Sequence, residues 1–367
     1  MSRERPTWKR VGRLAVCGLL LLWVSHGIFV KEGRESYRLQ KLDWDSLATT
    51  EQWRVAWTRG PVELGRVLAH TESWALLTAF VLMGVTVLLG VIRWRMVLRV
   101  QGLELPFSRA GEISLVAHFF NSFLLGSSGG DLMKAYYAAR ETHHLKTEAV
   151  VTVFVDRLLG LFAMLLFGGL MMLPNLSLLF THRRLAALSW FTLLMLGGCT
   201  GLVWVAFWGG VSRRWPGADA WLKKLPKAEH LRRSLDSCRA FGRHPGFILR
   251  ALLLSMLLNA VCVLLVLALA KGLHLEISAL ALFAIVPIIS CISALPLAPS
   301  GLGVRENLFV WMLAVPEINI PATQALSLSL LAFAVSLLWS LIGGAVYLGY
   351  KETHHLREVA EDDPNAA

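Results

Sequence analysis

The stretch WALLTAFVLMGVTVLLGVI, residues 74–92, contains no Asp, Glu, Lys or Arg. A helix rises by about 1.5 Å per residue, so a stretch of this length reaches across the roughly 30 Å hydrocarbon core of a bilayer. No water is available there to bond free peptide groups, and a spanning segment must therefore pair its own N–H and C=O groups, as a helix does. This stretch predicts a membrane-spanning helix that ends at Ile92, followed by Arg93, Trp94 and Arg95 as a basic and aromatic anchor at the cytoplasmic membrane surface.

Uncharged runs of the same kind recur along most of the chain. The others are residues 14–30, 113–130, 158–180, 185–212, 251–270, 277–304 and 318–350. The chain is 55% apolar and only 17% charged, whereas a soluble domain carries about 25% charge. We therefore predict an all-α, polytopic integral membrane bundle with about six to eight spanning helices.

The distribution of charge predicts the orientation of these helices. Residues 208–246 hold nine basic and three acidic residues, whereas residues 31–72 hold seven of each. Because positively charged loops stay in the cytoplasm, we expect 208–246 inside and 31–72 outside. The charged ends, 1–13 and 351–367, are then also inside, and residues 14–350 form the membrane domain. The net charge of +11 is better explained by anionic lipid headgroups than by nucleic acid.

Two apolar runs are broken in a way that ordinary spans are not. Residues 113–125 are too few for a span and end at a glycine-rich turn before a polar helix, 131–140. Residues 277–304 are broken by prolines and glycines and followed by Arg305 and Glu306. We expect two re-entrant helical hairpins, the first entering from the cytoplasm and the second from outside. They lie about 170 residues apart, a pattern typical of transporters built from inverted repeats.

The helix after Gly129 and Gly130 is the first candidate site. Free N–H groups and the positive end of the dipole at a helix N-terminus attract anions, and nearby basic and tyrosine side chains would complete a phosphate cradle. Alternatively, Asp131 merely caps its helix. Asp156 and Arg157 are adjacent and so point in different directions on a helix. Each therefore needs its own partner elsewhere in the chain. We expect Arg157 to pair with Asp131 because both should lie on the cytoplasmic side of the membrane. This would be either a structural ion pair or part of a substrate contact.

The break before Arg305 is the second candidate site, because freed backbone groups can line a polar cavity and arginine suits a phosphate. An ordinary surface loop is the alternative. We predict the following residues to bind a lipid headgroup: Asn121, Gly129, Gly130, Asp131, Lys134, Tyr137, Arg140, Asp156, Arg157, Pro299, Gly301, Gly303, Arg305 and Glu306. No nucleotide-binding loop or metal-ligand spacing occurs in the sequence, so we expect no cofactor, no metal and no catalytic residue.

Three sequence elements resemble one known family. They are the signature HFFNSFLLGSSGGD at 118–131, the DRLLG at 156–160 and the PSGLGVRE at 299–306. Together they are similar to the lysylphosphatidylglycerol synthase transmembrane-region family, which is described as flippase-like. The chain departs from the family pattern at Leu125, where proline is usual, and at Lys134, where arginine is common. The resemblance implies a lipid-handling membrane domain, without the soluble aminoacyl-transferase domain that follows it in some members.

The function expected from these features and this resemblance is binding of an anionic or polyprenyl-linked lipid and its translocation across the bacterial inner membrane, or assistance in that translocation. The outside segment 31–72 would then be periplasmic. Three alternatives remain open. A membrane-embedded transferase would use Asp131 or Glu306 as a base. A scaffold for envelope-synthesis enzymes would depend on the basic loop 208–246. A transporter of a soluble metabolite would need a more polar central cavity.

Overall fold

The computed structural model of the chain describes residues 26–27, 29–30, 33–34, 37, 40, 43–123, 129–141, 145–207, 239, 241–295 and 303–349. These residues form helices joined by short connections. In chain order the α-helices are α1 (Thr49–His70), α2 (Ser73–Val100), α3 (Phe107–Phe123), α4 (Gly129–Glu141), α5 (Lys146–Met172), α6 (Leu176–Thr181), α7 (Arg183–Phe207), α8 (Pro245–Gly272), α9 (Ala279–Ser293), α10 (Val304–Leu313) and α11 (Ala322–Gly349). The predicted all-α fold is confirmed for this part of the chain.

Five helical segments within the described ranges are long and apolar enough to cross a membrane: α2, α5 together with α6, α7, α8 and α11. Large apolar side chains such as Leu77, Leu194 and Leu253 are exposed on their outer faces. Such surfaces are stable in lipid and not in water. The chain is a polytopic membrane protein.

The predicted first span, 14–30, and the segments 1–13, 208–246 and 351–367 lie mostly or wholly outside the described residues.

Helix α2 is longer than the sequence suggests. We expected it to end at Ile92, with Arg93 and Trp94 forming an anchor at the membrane surface, but it continues to Val100. Trp94 is fully buried, and Arg93 has a carboxylate partner inside the bundle. The expected boundary was wrong because a partnered arginine can lie within a helix that crosses the membrane.

The first predicted hairpin is present as α3 and α4. At its open end, Arg109 Nε on α3 donates to Glu141 Oε1 on α4 over 2.7 Å. At its closed end, the backbone N–H of Gly130 donates to Asn121 Oδ1 over 2.8 Å. The two helices are therefore antiparallel neighbours, and their open end lies where α2 finishes.

The second predicted hairpin, α9 and α10, enters from the other end of the bundle. Asn175, at the far end of α5, donates from Nδ2 to the carbonyl of Leu280 in the first turn of α9 over 3.0 Å. His182 lies near Asn175, and its Nε2 is 2.5 Å from Oε2 of Glu317, which follows α10. The two hairpins thus enter from opposite ends, as predicted.

The arrangement forms two units with the same order of elements. The first consists of a long helix (α2), a hairpin (α3 and α4) and a second long helix (α5). The second consists of α8, the hairpin of α9 and α10, and α11, and each element begins about 170 residues after its counterpart. Because the hairpins enter from opposite ends, the second unit is inverted relative to the first. This supports the inverted-repeat hypothesis, for which the sequence offered only hairpin positions.

Candidate functional site

The tip of the first hairpin depends on a close approach of two helices. Gly130 lies against α3 so tightly that a Cβ there would overlap the Ala117 carbonyl oxygen and the Asn121 side chain. Asn121 accepts the Gly130 N–H and so joins the two arms. This bond gives Asn121 a structural role in addition to the headgroup contact predicted for it.

Replacing Gly130 with alanine should therefore separate the tip of the hairpin. We expect a loss of about 1–3 kcal/mol in stability, typical of overpacking at a tight contact. Gly111, on the same hairpin, has open space around its Cβ position, and Gly111→Ala is the matched control. Thermal unfolding of the purified protein in detergent would measure both. A midpoint for Gly130→Ala equal to that of Gly111→Ala would contradict the proposed packing.

Asp156 on α5 is the centre of a buried ionic network. Its Oδ1 accepts from Arg93 Nε on α2 over 2.8 Å, and its Oδ2 accepts from Lys134 Nζ on α4 over 3.1 Å. Arg93 Nη1 also donates to Ser255 Oγ on α8 over 3.1 Å, and the Lys134 ammonium lies 4.3 Å from the centre of the Trp94 ring. Three helices therefore meet at this carboxylate, and Arg93 connects a fourth helix, α8, to it.

The next residue, Arg157, pairs with Asp131 on α4. This is the pairing expected from the sequence, and it is confirmed. Asp156 and Arg157 point in different directions and contact α4 at two places. The hairpin is consequently fixed to α5 by two ion pairs instead of by apolar packing alone.

Among the described residues, two cations of this network share one carboxylate. Arg93 and Lys134 both contact Asp156, while Arg157 contacts Asp131. Unbalanced charge in a low-dielectric region is unfavourable and attracts an ion of the opposite sign. The surroundings of Asp156 therefore suit an anionic group.

Arg305 is the centre of a second polar cluster, in the first turn of α10. Its Nη2 donates to Glu306 Oε1 over 2.7 Å, its Nε donates to Ser329 Oγ over 3.3 Å, and its Cζ lies 4.6 Å from the centre of the Phe333 ring. The other Glu306 oxygen accepts the backbone N–H of Gly303. Gly303 has a φ of +95°, a conformation that favours glycine.

The guanidinium of Arg305 keeps unused hydrogen-bonding capacity. It has five N–H donors, and in the described part of the chain only one on Nε and one on Nη2 meet a protein acceptor. The side chain retains 19% of its exposure, so it is not fully enclosed. Together with the stacked ring, its remaining donors form a geometry that suits a phosphate or carboxylate.

One face of α11 contacts both hairpins. Ser329 and Phe333 contact Arg305, while the Ser336 carbonyl contacts His118 Nε2 on α3 at 3.3 Å. Ser340 also donates to the His118 carbonyl at 3.4 Å. Spacings of four, three and four residues place these positions on one side of a helix. The two hairpins therefore contact one face of α11 along about 16 Å of its length.

The structure places the other predicted residues less centrally. Tyr137 is buried in the apolar core, and Arg140 stacks on Tyr136 and donates to its hydroxyl over 2.9 Å. Gly129 is buried at the start of α4. Pro299 and Gly301 lie outside the described residues. Headgroup binding by each of these residues remains a prediction.

Four contributors were missed in the sequence. Arg93 was taken as a surface anchor because it follows an apolar run, and Ser255, Ser329 and Phe333 look like ordinary residues of apolar helices. For Arg93 a signal existed, because the apolar character continues beyond it to Val97 and Leu98. For the other three, only their contacts reveal their role.

Comparison with known families gives a match that spans most of this architecture. The family model described as "Lysylphosphatidylglycerol synthase TM region" matches residues 47–344. The chain belongs to this family. The match extends from α1 into α11 and includes both hairpins and both ionic clusters. It also indicates that this is a membrane protein related to lipid handling. A search of curated proteins gave no significant match.

Proposed function

We propose that the chain binds an anionic lipid, or an anionic lipid-linked intermediate, at its two hairpins and moves it across the bacterial inner membrane. The phosphate of the headgroup would bind Arg305 inside the bundle, while the acyl chains stay in the bilayer. No catalytic step is part of this proposal. The predicted orientation, with both termini and the basic loop 208–246 in the cytoplasm, belongs to the same proposal.

The observation that carries the proposal is the unused donor capacity of Arg305. A guanidinium within a membrane bundle is unfavourable unless its donors have partners. Two of its N–H groups bond Ser329 and Glu306, which hold the side chain in place. The remaining N–H groups of Arg305 can bond two oxygens of one phosphate, as arginine commonly does.

The network around Asp156 supports the same conclusion from the other hairpin. The two cations that share Asp156, Arg93 and Lys134, would favour a headgroup with negative charge over a zwitterionic one. Asp131 and Glu306 hold the cations in position, as the ion pairs of Arg157 and Arg305 indicate. The two clusters reach the bundle from opposite ends, so a headgroup could be received from either leaflet. The movement would be a downhill exchange or be coupled to an ion.

The alternatives are weaker on the same observations. In a transferase, the expected base would be Asp131 or Glu306, but Asp131 pairs with Arg157, and the Glu306 carboxylate contacts Arg305 and the Gly303 N–H. A scaffold does not explain why Arg305 keeps unused N–H donors inside the bundle. A transporter of a soluble metabolite would need polar lining, whereas the large core cluster around α9 is apolar.

Native mass spectrometry of the detergent-purified protein tests the proposal. We expect the wild type to retain one more anionic lipid molecule than Lys134→Met/Arg305→Gln. Methionine keeps an apolar chain against Trp94, and glutamine keeps a donor for Glu306, which limits the loss of stability; thermal unfolding of the variant checks that it is folded. Lys271→Met/Arg184→Gln removes two exposed cations and is the matched control. Equal retention of bulk phospholipids by all three proteins would reject the proposed site and favour the scaffold.

A further inference from the structure

An open cleft of about 460 Å³ lies between the last turns of α2 and the first turns of α8. It is about two turns beyond Arg93 on α2, so it is separate from the Asp156 network. Its lining includes Arg99, Arg243 and Arg250. The proposed function uses none of these residues.

The described lining of the cleft is positively charged and includes no balancing carboxylate. The three arginines are exposed, and the residues described as lining the cleft include no Asp or Glu. Among the described residues, no ion pair involves these arginines, whereas Arg93, Arg109 and Arg157 each have a carboxylate. A smaller neighbouring cleft of about 310 Å³ shares Arg99 but includes Glu104. The larger cleft is therefore the better anion site.

Apolar surface continues from this cleft toward the middle of the membrane. Met96, Val100 and Phe247 line the cleft beside the arginines. Beyond it on α8, Leu249, Leu253 and Leu257 are 59%, 61% and 53% exposed. Their spacing of four residues places them in one row of about 12 Å. This is close to the roughly 15 Å depth of one hydrocarbon leaflet.

We propose that this cleft is a second lipid site, which holds an anionic phospholipid. Its phosphate lies among Arg99, Arg243 and Arg250, and one acyl chain lies along the leucine row. Arginine forks suit phosphate oxygens, and the positive end of the α8 dipole adds to the attraction. The lipid bridges α2 and α8, which carry Arg93 and Ser255 of the ionic network. It is a resident lipid that stabilises the bundle, and the site does not depend on transport at the hairpins.

The test measures how lipid stabilises the full chain. The protein is delipidated in detergent, and its thermal unfolding midpoint is measured with added dioleoylphosphatidylglycerol or with dioleoylphosphatidylcholine. We expect phosphatidylglycerol to raise the wild-type midpoint more than phosphatidylcholine, because binding to the folded state stabilises it. In Arg99→Gln/Arg243→Gln/Arg250→Gln the apparent affinity for phosphatidylglycerol should fall by about tenfold or more.

Two controls make the outcome specific. Arg183→Gln/Arg184→Gln/Lys271→Gln removes three exposed cations at the opposite end of the bundle and should keep the wild-type response. Lys134→Met/Arg305→Gln should keep a phosphatidylglycerol response that the three cleft substitutions then remove, which separates this site from the hairpins even if the proposed function fails. An unchanged response in the cleft variant would overturn the proposal. An equal midpoint shift from glycerol phosphate would reassign the cleft to soluble phosphates.

Discussion

Replacing Asp156 with asparagine should destabilise the protein by about 3–5 kcal/mol, the usual effect of removing one partner from a buried ion pair. Arg93 and Lys134 would then face each other across a neutral amide, with side chains only 13% and 10% exposed. Both cations would then lack the carboxylate that they share. Thermal unfolding in detergent would show the change as a large fall in the midpoint.

A second substitution makes this prediction specific to charge balance. Lys134→Met alone leaves Arg93 and Asp156 as a balanced pair, so its effect should be smaller. In Asp156→Asn/Lys134→Met one cation and one anion are both gone, and the double variant should be more stable than Asp156→Asn. A double-mutant cycle measures this coupling. Additive losses would mean that Lys134 and Asp156 do not interact as their 3.1 Å separation indicates.

The exposed ion pair of Arg34 and Asp45 provides a control for the effect of replacing any paired aspartate with asparagine. Its side chains are 62% and 73% exposed, and pairs in such settings contribute about 0–1 kcal/mol. Asp45→Asn should therefore leave the midpoint almost unchanged. A loss as large as that of Asp156→Asn would show that general effects of the substitution dominate.

The features that could be predicted from the sequence are those set by local chemistry. A long uncharged run has to be a helix inside a membrane, so α2, α5, α7, α8 and α11 were all expected. The hairpins were expected because a short apolar run followed by glycine or proline cannot complete a crossing. Even the partner of Arg157 followed from a local argument, since Asp131 was a carboxylate expected on the same side of the membrane.

The features that could not be predicted depend on which helices become neighbours. Arg93 is 63 residues from Asp156 and 162 from Ser255, and no local pattern joins them. For the same reason the sequence does not indicate that Ser329 and Phe333 contact Arg305. The end of α2 was placed too early because a charged residue usually closes a span, whereas here a distant carboxylate keeps it inside. Long-range pairing decides both the site and that boundary.

Arg305 is the residue whose change should most affect the lipid that is transported. In Arg305→Gln the positive charge is lost, together with the pair of parallel N–H donors of the planar guanidinium. The preference for an anionic over a zwitterionic headgroup should then fall about 10- to 100-fold. This corresponds to the loss of one or two charge-assisted hydrogen bonds. Arg305→Lys keeps the charge but offers no planar fork, so its preference should lie in between. The assay is exchange of fluorescent phosphatidylglycerol and phosphatidylcholine across proteoliposome membranes.

Stability and transport must be separated in this assay, because Glu306 is only 2% exposed and loses a cation in Arg305→Gln. The companion variant Arg305→Gln/Glu306→Gln restores charge balance. Its thermal unfolding midpoint should be higher than that of Arg305→Gln, but its preference for anionic headgroups should be no greater. Lys271→Gln, an exposed cation at the same end of the bundle as the open end of the second hairpin, should behave as wild type. If Arg305→Gln still preferred the anionic lipid at the wild-type ratio, the headgroup would have to be recognised elsewhere, and Arg305 would serve only to hold α10 against α11.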